Sequence, residues 1–327
     1  MLKKTLIRKF ILLLATAFCV LQVSAQKPPL QTIILDPGHG GADPGAGGKY
    51  STEAQCALAI SFKVRDLLAQ EMPDVKVLMT REKDELPGGG RNKDAALKYR
   101  ANFANENKGD LFLCIHLNSA NPKYGRRLDG YRTETYFVYT GKGKRKKKIT
   151  KTREVPIYTK YRLPHDQQAH GTETYIWAAN KGGSKTNAVE ATEGKTGEGM
   201  ESDSAFQAEL NSVEYKIRMG QYTKYFFKKS YNLATFCEEE FVKAGRKSRG
   251  VMQRNEKGIW VLQATGMPSI LVETGFISDL EEEDYLNSEK GQMEVAANVV
   301  TAVKRYKELL ESNMKNAVAV PIGQPKQ

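Results

Sequence analysis

Cysteine is scarce in this chain of 327 residues: there are four, no two spaced as CxxC, which removes the usual cysteine-built zinc sites. Histidine is equally scarce, with His39, His116, His165 and His170 the complete set. No HExxH and no GxSxG occurs, so the common zinc-protease and serine-hydrolase signatures are missing. The apolar run from Phe10 to Val20 is too short for the ~20 residues that span a bilayer.

That run is flanked by Lys3, Lys4, Arg8 and Lys9 before it and by Val23-Ser24-Ala25 after it. A basic start, an apolar middle and a small-residue cleavage site make residues 1–25 a secretory signal, predicting export to the periplasm or cell envelope with no stable membrane insertion after cleavage. A lipid anchor on Cys19 is disfavoured because Phe18 stands where a small residue is needed. Export favours disulfides, yet only Cys56, Cys114 and Cys237 remain, and an odd number cannot all pair. Cys56 in a helical pattern and Cys114 in an apolar strand read as buried free thiols. The net charge of +12 calls for an anionic partner. Nucleic acid is the simplest such partner, but export argues against it, and a wall polymer bearing carboxylates and phosphates fits the same charge.

What is present is an alternation of short apolar runs and amphipathic stretches. Thr32 to Leu35 read as a strand running into Asp36-Pro37-Gly38-His39-Gly40-Gly41. A helix follows from about Glu53 to Gln70, its stripe formed by Ala57, Ile60, Val64, Leu67 and Leu68. Val75 to Met79 read as a strand, and Lys93 to Asn107 as a helix bearing Ala96, Tyr99 and Phe103. Leu111 to Leu117 form an unbroken apolar run apart from His116, as expected of a strand covered on both faces. Leu233 to Val242 read as a helix, Ser269 to Val272 as a buried strand and Met293 to Leu310 as a closing helix. The fold class expected is α/β: a single mostly parallel twisted sheet with helices on both faces, with two inserted segments.

The insertions are residues 121–168, rich in Lys, Arg and Tyr, and 182–212, rich in Gly, Glu, Ser and Thr; together with the rhythm around them they make one domain over 26–315, followed by a flexible tail at 316–327. Thr-Glu-Thr-Tyr occurs at 133–136 and again at 172–175, which suggests two paired strands, the arms of one hairpin. The basic run is a solvated loop or a contact for a glycan or partner.

His39 stands just past the first strand, His116 at the end of another, and Glu273 ends the run Ile270-Leu271-Val272. Ligands of open parallel sheets bind at the carboxyl ends of the strands, so these three side chains converge there. Glu53 lies four residues before Ala57 and therefore opens the buried stripe of its helix. A carboxylate there is costly unless paired, and a divalent cation compensates it far better than the helix N-terminus alone. Two histidines and a carboxylate with a fourth position for water form a catalytic zinc set, whereas magnesium and calcium prefer all-oxygen shells. Taken singly, His39 is also readable as a turn residue, His116 as a core histidine, Glu53 as a complement to the helix dipole and Glu273 as a loop cap; all four at one sheet edge point to one site. Two lookalikes fail: Asp43 takes the third glycine position of a dinucleotide loop at 36–43, and Gly194-Lys195-Thr196 has Val189 in place of the leading glycine of a phosphate loop.

The segments Ile34-Leu35-Asp36-Pro37-Gly38-His39-Gly40-Gly41, Glu53, Thr80-Arg81, Arg100-Ala101-Asn102, Ile115-His116-Leu117-Asn118, Gly171-Thr172-Glu173-Thr174-Tyr175 and Leu271-Val272-Glu273-Thr274-Gly275-Phe276-Ile277-Ser278 follow one another in this order. In that order they resemble the zinc-dependent N-acetylmuramoyl-L-alanine amidases of the division-amidase type, over most of residues 31–310. The resemblance implies one zinc ion held by His39, Glu53 and His116, with Glu273 as catalytic acid and base. It further implies hydrolysis of the amide between N-acetylmuramic acid and the L-alanine of the peptidoglycan stem. The stretch between His116 and Gly171 is longer than the resemblance leads one to expect. The segment 182–212 lies where some relatives carry a regulatory helix that blocks the zinc, which makes Glu190 and Glu193 candidates to reach the open zinc position until an activator protein moves them. The alternative there is a disordered acidic loop. Alternatives for the chemistry are another zinc wall hydrolase, a stem peptidase or a sugar deacetylase, and a non-catalytic peptidoglycan-binding protein.

Overall fold

A computed structural model describes residues 28–319 except 182, 184, 187, 189–211 and 257. The chain runs β1 (Thr32–Pro37), α1 (Glu53–Glu71), β2 (Lys76–Met79), α2 (Lys93–Glu106), β3 (Leu111–Asn118), β4 (Tyr124–Thr140), β5 (Lys147–Arg162) and β6 (Thr172–Ile176). It continues through α3 (Val213–Lys243), β7 (Ser248–Gln253), α4 (Trp260–Ala264), β8 (Ser269–Phe276), α5 (Leu280–Asn287) and α6 (Glu289–Ala319). The central sheet has the order β2-β1-β3-β8-β6-β7. Its first four strands are parallel, β6 runs antiparallel to β8, and β7 is parallel to β6. The expected mostly parallel α/β sheet is thus present, with one reversal at β6.

Alternation along each strand builds two apolar layers. Ile33, Leu35, Leu113, Ile115, Ile270 and Val272 face α1, α3 and α6, packing with residues such as Ile60, Phe241 and Val303. Ile34, Phe112, Cys114 and Leu271 face the other way, toward Ala104 of α2, Leu262 of α4 and Trp177. Both faces are covered, which is why the strands read as unbroken apolar runs. Cys56, Cys114 and Cys237 are buried free thiols. No described helix is long and apolar enough to cross a membrane.

Helix α1 starts where its sequence says it should. Thr52 accepts from the Gln55 amide and the Gln55 side chain accepts from the Thr52 amide, a reciprocal cap, and the helix stops at Met72 because Pro73 disfavours helical geometry in the residue before it. Its buried face is Glu53, Ala57, Ile60, Val64 and Leu68. Helix α2 is turned relative to the expected stripe: Ala96, Arg100 and Ala104 are buried while Tyr99 is 39% exposed. The reason is electrostatic. Asp36, at the end of β1, is 1% exposed, and Arg100 turns inward to bond it, with Thr80 Oγ1 donating to the same carboxylate at 2.5 Å.

Further departures follow from packing. The Thr-Glu-Thr-Tyr copies are not partners: residues 133–136 lie in β4, which pairs with β5, while 172–175 lie in β6 beside β8. Gly141 (φ +97°) and Gly143 (φ +57°) fold the chain straight back after β4, and four of the five residues of β6 are buried, which only the covered central sheet can provide. The basic run, Lys142 through Lys151, therefore forms the tip of a long hairpin and the first residues of β5 rather than a free loop. Strand β7 was not legible, because only its middle is apolar. Helix α3 begins twenty residues before the apolar stretch Leu233 to Val242, and α6 continues to Ala319, past the expected tail boundary; residues 320–327 and the signal segment 1–25 lie outside the described residues. At the start of the second insertion, Lys185 is fully buried and donates to the Leu262 carbonyl, Thr265 Oγ1 and Ser269 Oγ, tying that segment to the sheet.

Arg100→Met should lower the unfolding free energy by about 3–5 kcal/mol, since it strands a buried carboxylate. Urea denaturation measures this, and a loss below ~1 kcal/mol would mean the pair behaves like an exposed one.

Candidate metal centre and its cleft

The chain leaves β1 toward the sheet edge at β2 and returns on the other side of β1 as β3, so a crevice opens at the carboxyl ends of β1 and β3. The loop that follows β1 is held by its carbonyls. Buried Arg81 donates to the carbonyls of Pro37 (3.1 Å), Gly38 (2.7 Å) and Ala54 (2.8 Å), and Arg100 to those of Pro37 (2.9 Å) and His39 (2.7 Å). Burial, then the charge of Arg100, lowers the Arg81 pKa to about 10, which still leaves it charged at neutral pH. These bonds hold His39 in a left-handed conformation (φ +56°), a cost that recurs where a side chain must be aimed.

His39, Glu53 and His116 offer one ligand atom each, all within 4.8 Å of one another. Glu53 Oε2 lies 3.1 Å from His39 Nε2, and Glu53 Oε1 lies 2.7 Å from His116 Nδ1. The rings meet edge to face, 5.0 Å between centroids. His39 Nδ1 bonds Asp43 Oδ2 at 2.8 Å, and Asp43 is in turn bound by Lys93 at 2.6 Å, so Nε2 is the atom aimed inward. A side chain at Gly38 would put its Cβ 2.5–2.7 Å from the His116 ring, so only glycine lets the ring lie there.

Burial opposes charge on Glu53, which is 4% exposed, yet the two histidines outweigh it and hold the carboxyl well below its ordinary range. His39 shows the converse: burial pulls its pKa down, Glu53 and Asp43 push it up, and the net shift is upward. The donor set fits a cation of intermediate softness, two imidazole nitrogens and one carboxylate around a point they all face. The group therefore can hold a metal ion.

Glu273 stands across the β3–β8 pair from His116, and Glu173 across the β8–β6 pair from Glu273, so the three form one row on one face. Glu273 lines a cleft of ≈380 Å³ with His39, Glu53 and His116. Its Oε2 is buried and unpartnered, and Arg254 stays 4.0 Å from Oε1. Burial first, then the Glu53 charge, push its pKa up to about 8 against the pull of Arg254. Glu173 is treated differently: Asn118 Nδ2 (2.9 Å), the Tyr175 hydroxyl (2.7 Å) and Arg249 all donate to it. Two adjacent carboxylates are thereby kept in unlike environments.

All four sequence-predicted residues thus meet in one cleft. His165 and His170 lie elsewhere, their rings tilted against each other at 4.3 Å between centroids, with His165 Nδ1 bonded to Asp279. Glu190 and Glu193 lie outside the described residues. Arg81, Arg100, Glu173, Arg249 and Arg254 were not singled out from sequence for these contacts, since lone charges in amphipathic stretches carry no spacing signal.

The class so defined is an α/β protein with a His–Glu–His group able to hold a metal ion at the carboxyl edge of its sheet. More particularly, the chain belongs to the N-acetylmuramoyl-L-alanine amidase family, which it matches over residues 33–305. It is 28% identical over 281 residues to N-acetylmuramoyl-L-alanine amidase AmiC of Escherichia coli, covering 84% of this chain and 52% of that protein. It is also 39% identical over 93 residues to the germination-specific N-acetylmuramoyl-L-alanine amidase of Bacillus subtilis, covering 27% of this chain and 38% of that one. The chain thus spans about half the length of AmiC and less of the second. The crystal structure of N-acetylmuramoyl-L-alanine amidase from Clostridium difficile 630 shares the fold, with a TM-score of 0.50 at 22% identity, covering 86% of this chain and 98% of that one.

The Glu273 shift has a sign that can be tested. Between 4.5 and about 8 the folded chain keeps a proton that the unfolded chain releases, so this group makes the fold less stable as pH rises through that window. In chelator, Glu273→Gln should gain stability relative to the parent between about pH 5 and about pH 8.5, read from denaturant midpoints; a constant difference would contradict the shift.

Proposed function

We propose that this chain hydrolyses the amide bond between N-acetylmuramic acid and the L-alanine of the peptidoglycan stem, with zinc held by His39, Glu53 and His116 and with Glu273 as acid and base. The observation that carries the proposal is the buried, unpartnered Oε2 of Glu273 in the cleft beside the His–Glu–His group. Family membership supplies the substrate class. When bound, zinc supplies Lewis-acid polarisation of the scissile carbonyl and lowers the pKa of water toward ~7.

The chain's own residues do the rest. Asp43 fixes the His39 tautomer, and Gly38 leaves room for the His116 ring. Burial raises the basicity of the Glu273 carboxylate, whose ionised form takes the proton of the attacking water at Oε2, and the carboxyl so formed returns it to the departing alanine nitrogen. Ile259, Trp260 and Val261 line the same cleft with apolar side chains beside the reacting groups. Secretion through residues 1–25, action in the periplasm or envelope and one domain over 26–315 belong to the same proposal.

Glu273→Gln should retain the metal and lose about 10²–10⁴-fold in turnover. His116→Ala should lose metal and activity together. Metal analysis, with mass spectrometry of peptides released from purified sacculi, reads both. A Gln variant of parental activity removes Glu273 from the role, and products cut within the stem or deacetylated glycans replace the amidase with another wall hydrolase.

A further inference from the structure

The β4–β5 ribbon has no part in the site just described, yet it carries the charge of the chain. Residues 121–168 contain fourteen lysines and arginines against four acidic residues, a net of +10 out of +12 for the whole sequence. Among the described strands, β4 and β5 pair only with each other. Seventeen residues at ~3.3 Å each make an arm about 55 Å long. A lone two-stranded hairpin is marginal in water, and this one keeps large apolar side chains exposed along its length with no covering layer among the described residues.

Its register separates two faces. A bulge between Leu128 and Gly130 shifts the alternation of β4, so that Tyr124, Leu128, Tyr131, Phe137 and Tyr139 all share the face of Tyr158 on β5. Tyr131 is 60% and Tyr139 66% exposed, and the other four are open as well. Arg126, Lys148, Lys160 and Arg162 belong to the same face, and Lys148 Nζ lies 3.6 Å above the Phe137 ring centroid. Aromatic rings thus run from root to tip, interleaved with cations.

The root is fixed to the cleft. Strand β3, which carries His116, ends at Asn118; Ser119 lines the cleft, and β4 starts at Tyr124. The Ala120 amide donates to Ser278 Oγ at 2.9 Å and Arg162 donates to the Ser278 carbonyl, just beyond β8. The root of the ribbon therefore lies beside the strand ends that hold His116 and Glu273.

We infer that this ribbon is a docking arm for an extended anionic glycan-peptide polymer, whose sugar rings stack on the aromatic face while its carboxylates meet the lysines and arginines. Ring faces accept the C–H surface of sugars without a desolvation cost for charge, and the cations supply long-range capture. A second copy of the chain is disfavoured as occupant, because Lys and Arg along both strand edges repel another such ribbon. An anionic membrane would suit the basic tip at Lys142 to Lys148, but it leaves the aromatic residues near the root without a role. The inference rests on the proposed activity only for the identity of the polymer.

Two variants test it in the full chain. One replaces residues 126–160 by Asn-Gly, joining the paired Gly125 and Tyr161; the other is Tyr131→Ala with Phe137→Ala and Tyr139→Ala, which keeps the strands paired. Circular dichroism and melting temperature establish that each folds. Co-sedimentation with purified sacculi should fall roughly tenfold for both, and turnover of sacculi should fall more than turnover of a soluble muropeptide. The truncated arm should also lose most of the salt dependence of binding. Unchanged sedimentation overturns the inference, as does a loss of binding to phosphatidylglycerol vesicles without a loss on sacculi. If the parent cleaves neither substrate, the proposed activity fails while sedimentation still decides the arm.

Discussion

Glu53 is a carboxylate taken almost wholly out of water, and most of the cleft is arranged around that fact. The helix that carries it begins with a reciprocal cap, which fixes the rotation of α1 and therefore the direction of the Glu53 side chain. His39 and His116 answer the charge, one on each oxygen. Each histidine needs its own support: Asp43 holds His39, and the absence of a side chain at Gly38 makes space for His116. Burying a charge is tolerable only when such partners surround it, so the three residues are interdependent.

The same economy governs the loop after β1. Its backbone turns through left-handed conformations at His39, Gly40 and Gly41, so the carbonyls entering the turn have no strand partner and need donors from elsewhere. Arg81 and Arg100 reach in from β2's end and from α2 to bond the carbonyls of Pro37, Gly38 and His39 where that turn begins, and Arg100 also neutralises Asp36. Fold and site are joined here: the arginine that rotates α2 is the one that holds the His39 carbonyl.

Contrast between neighbouring carboxylates gives the cleft its chemical asymmetry. Glu173 has three donors and Glu273 has an oxygen with none, although the two are paired across adjacent strands. The first is a fixed acceptor that anchors Tyr175 and Arg249; the second is left with capacity for a proton. The ribbon adds a different kind of asymmetry, concentrating positive charge in an arm rooted beside this row.

The sequence by itself determined the central strands, the α1 stripe and the gathering of His39, Glu53, His116 and Glu273. Each of those four ends or begins an apolar pattern, and period and position along a strand are local properties. Only the tertiary structure decided that β6 runs antiparallel to β8, that β4 pairs with β5, and that Arg100 rather than Tyr99 faces inward. Strand pairing depends on which surfaces are left to cover, and a buried charge depends on a partner sixty-four residues away. Neither quantity is written in any window of the chain.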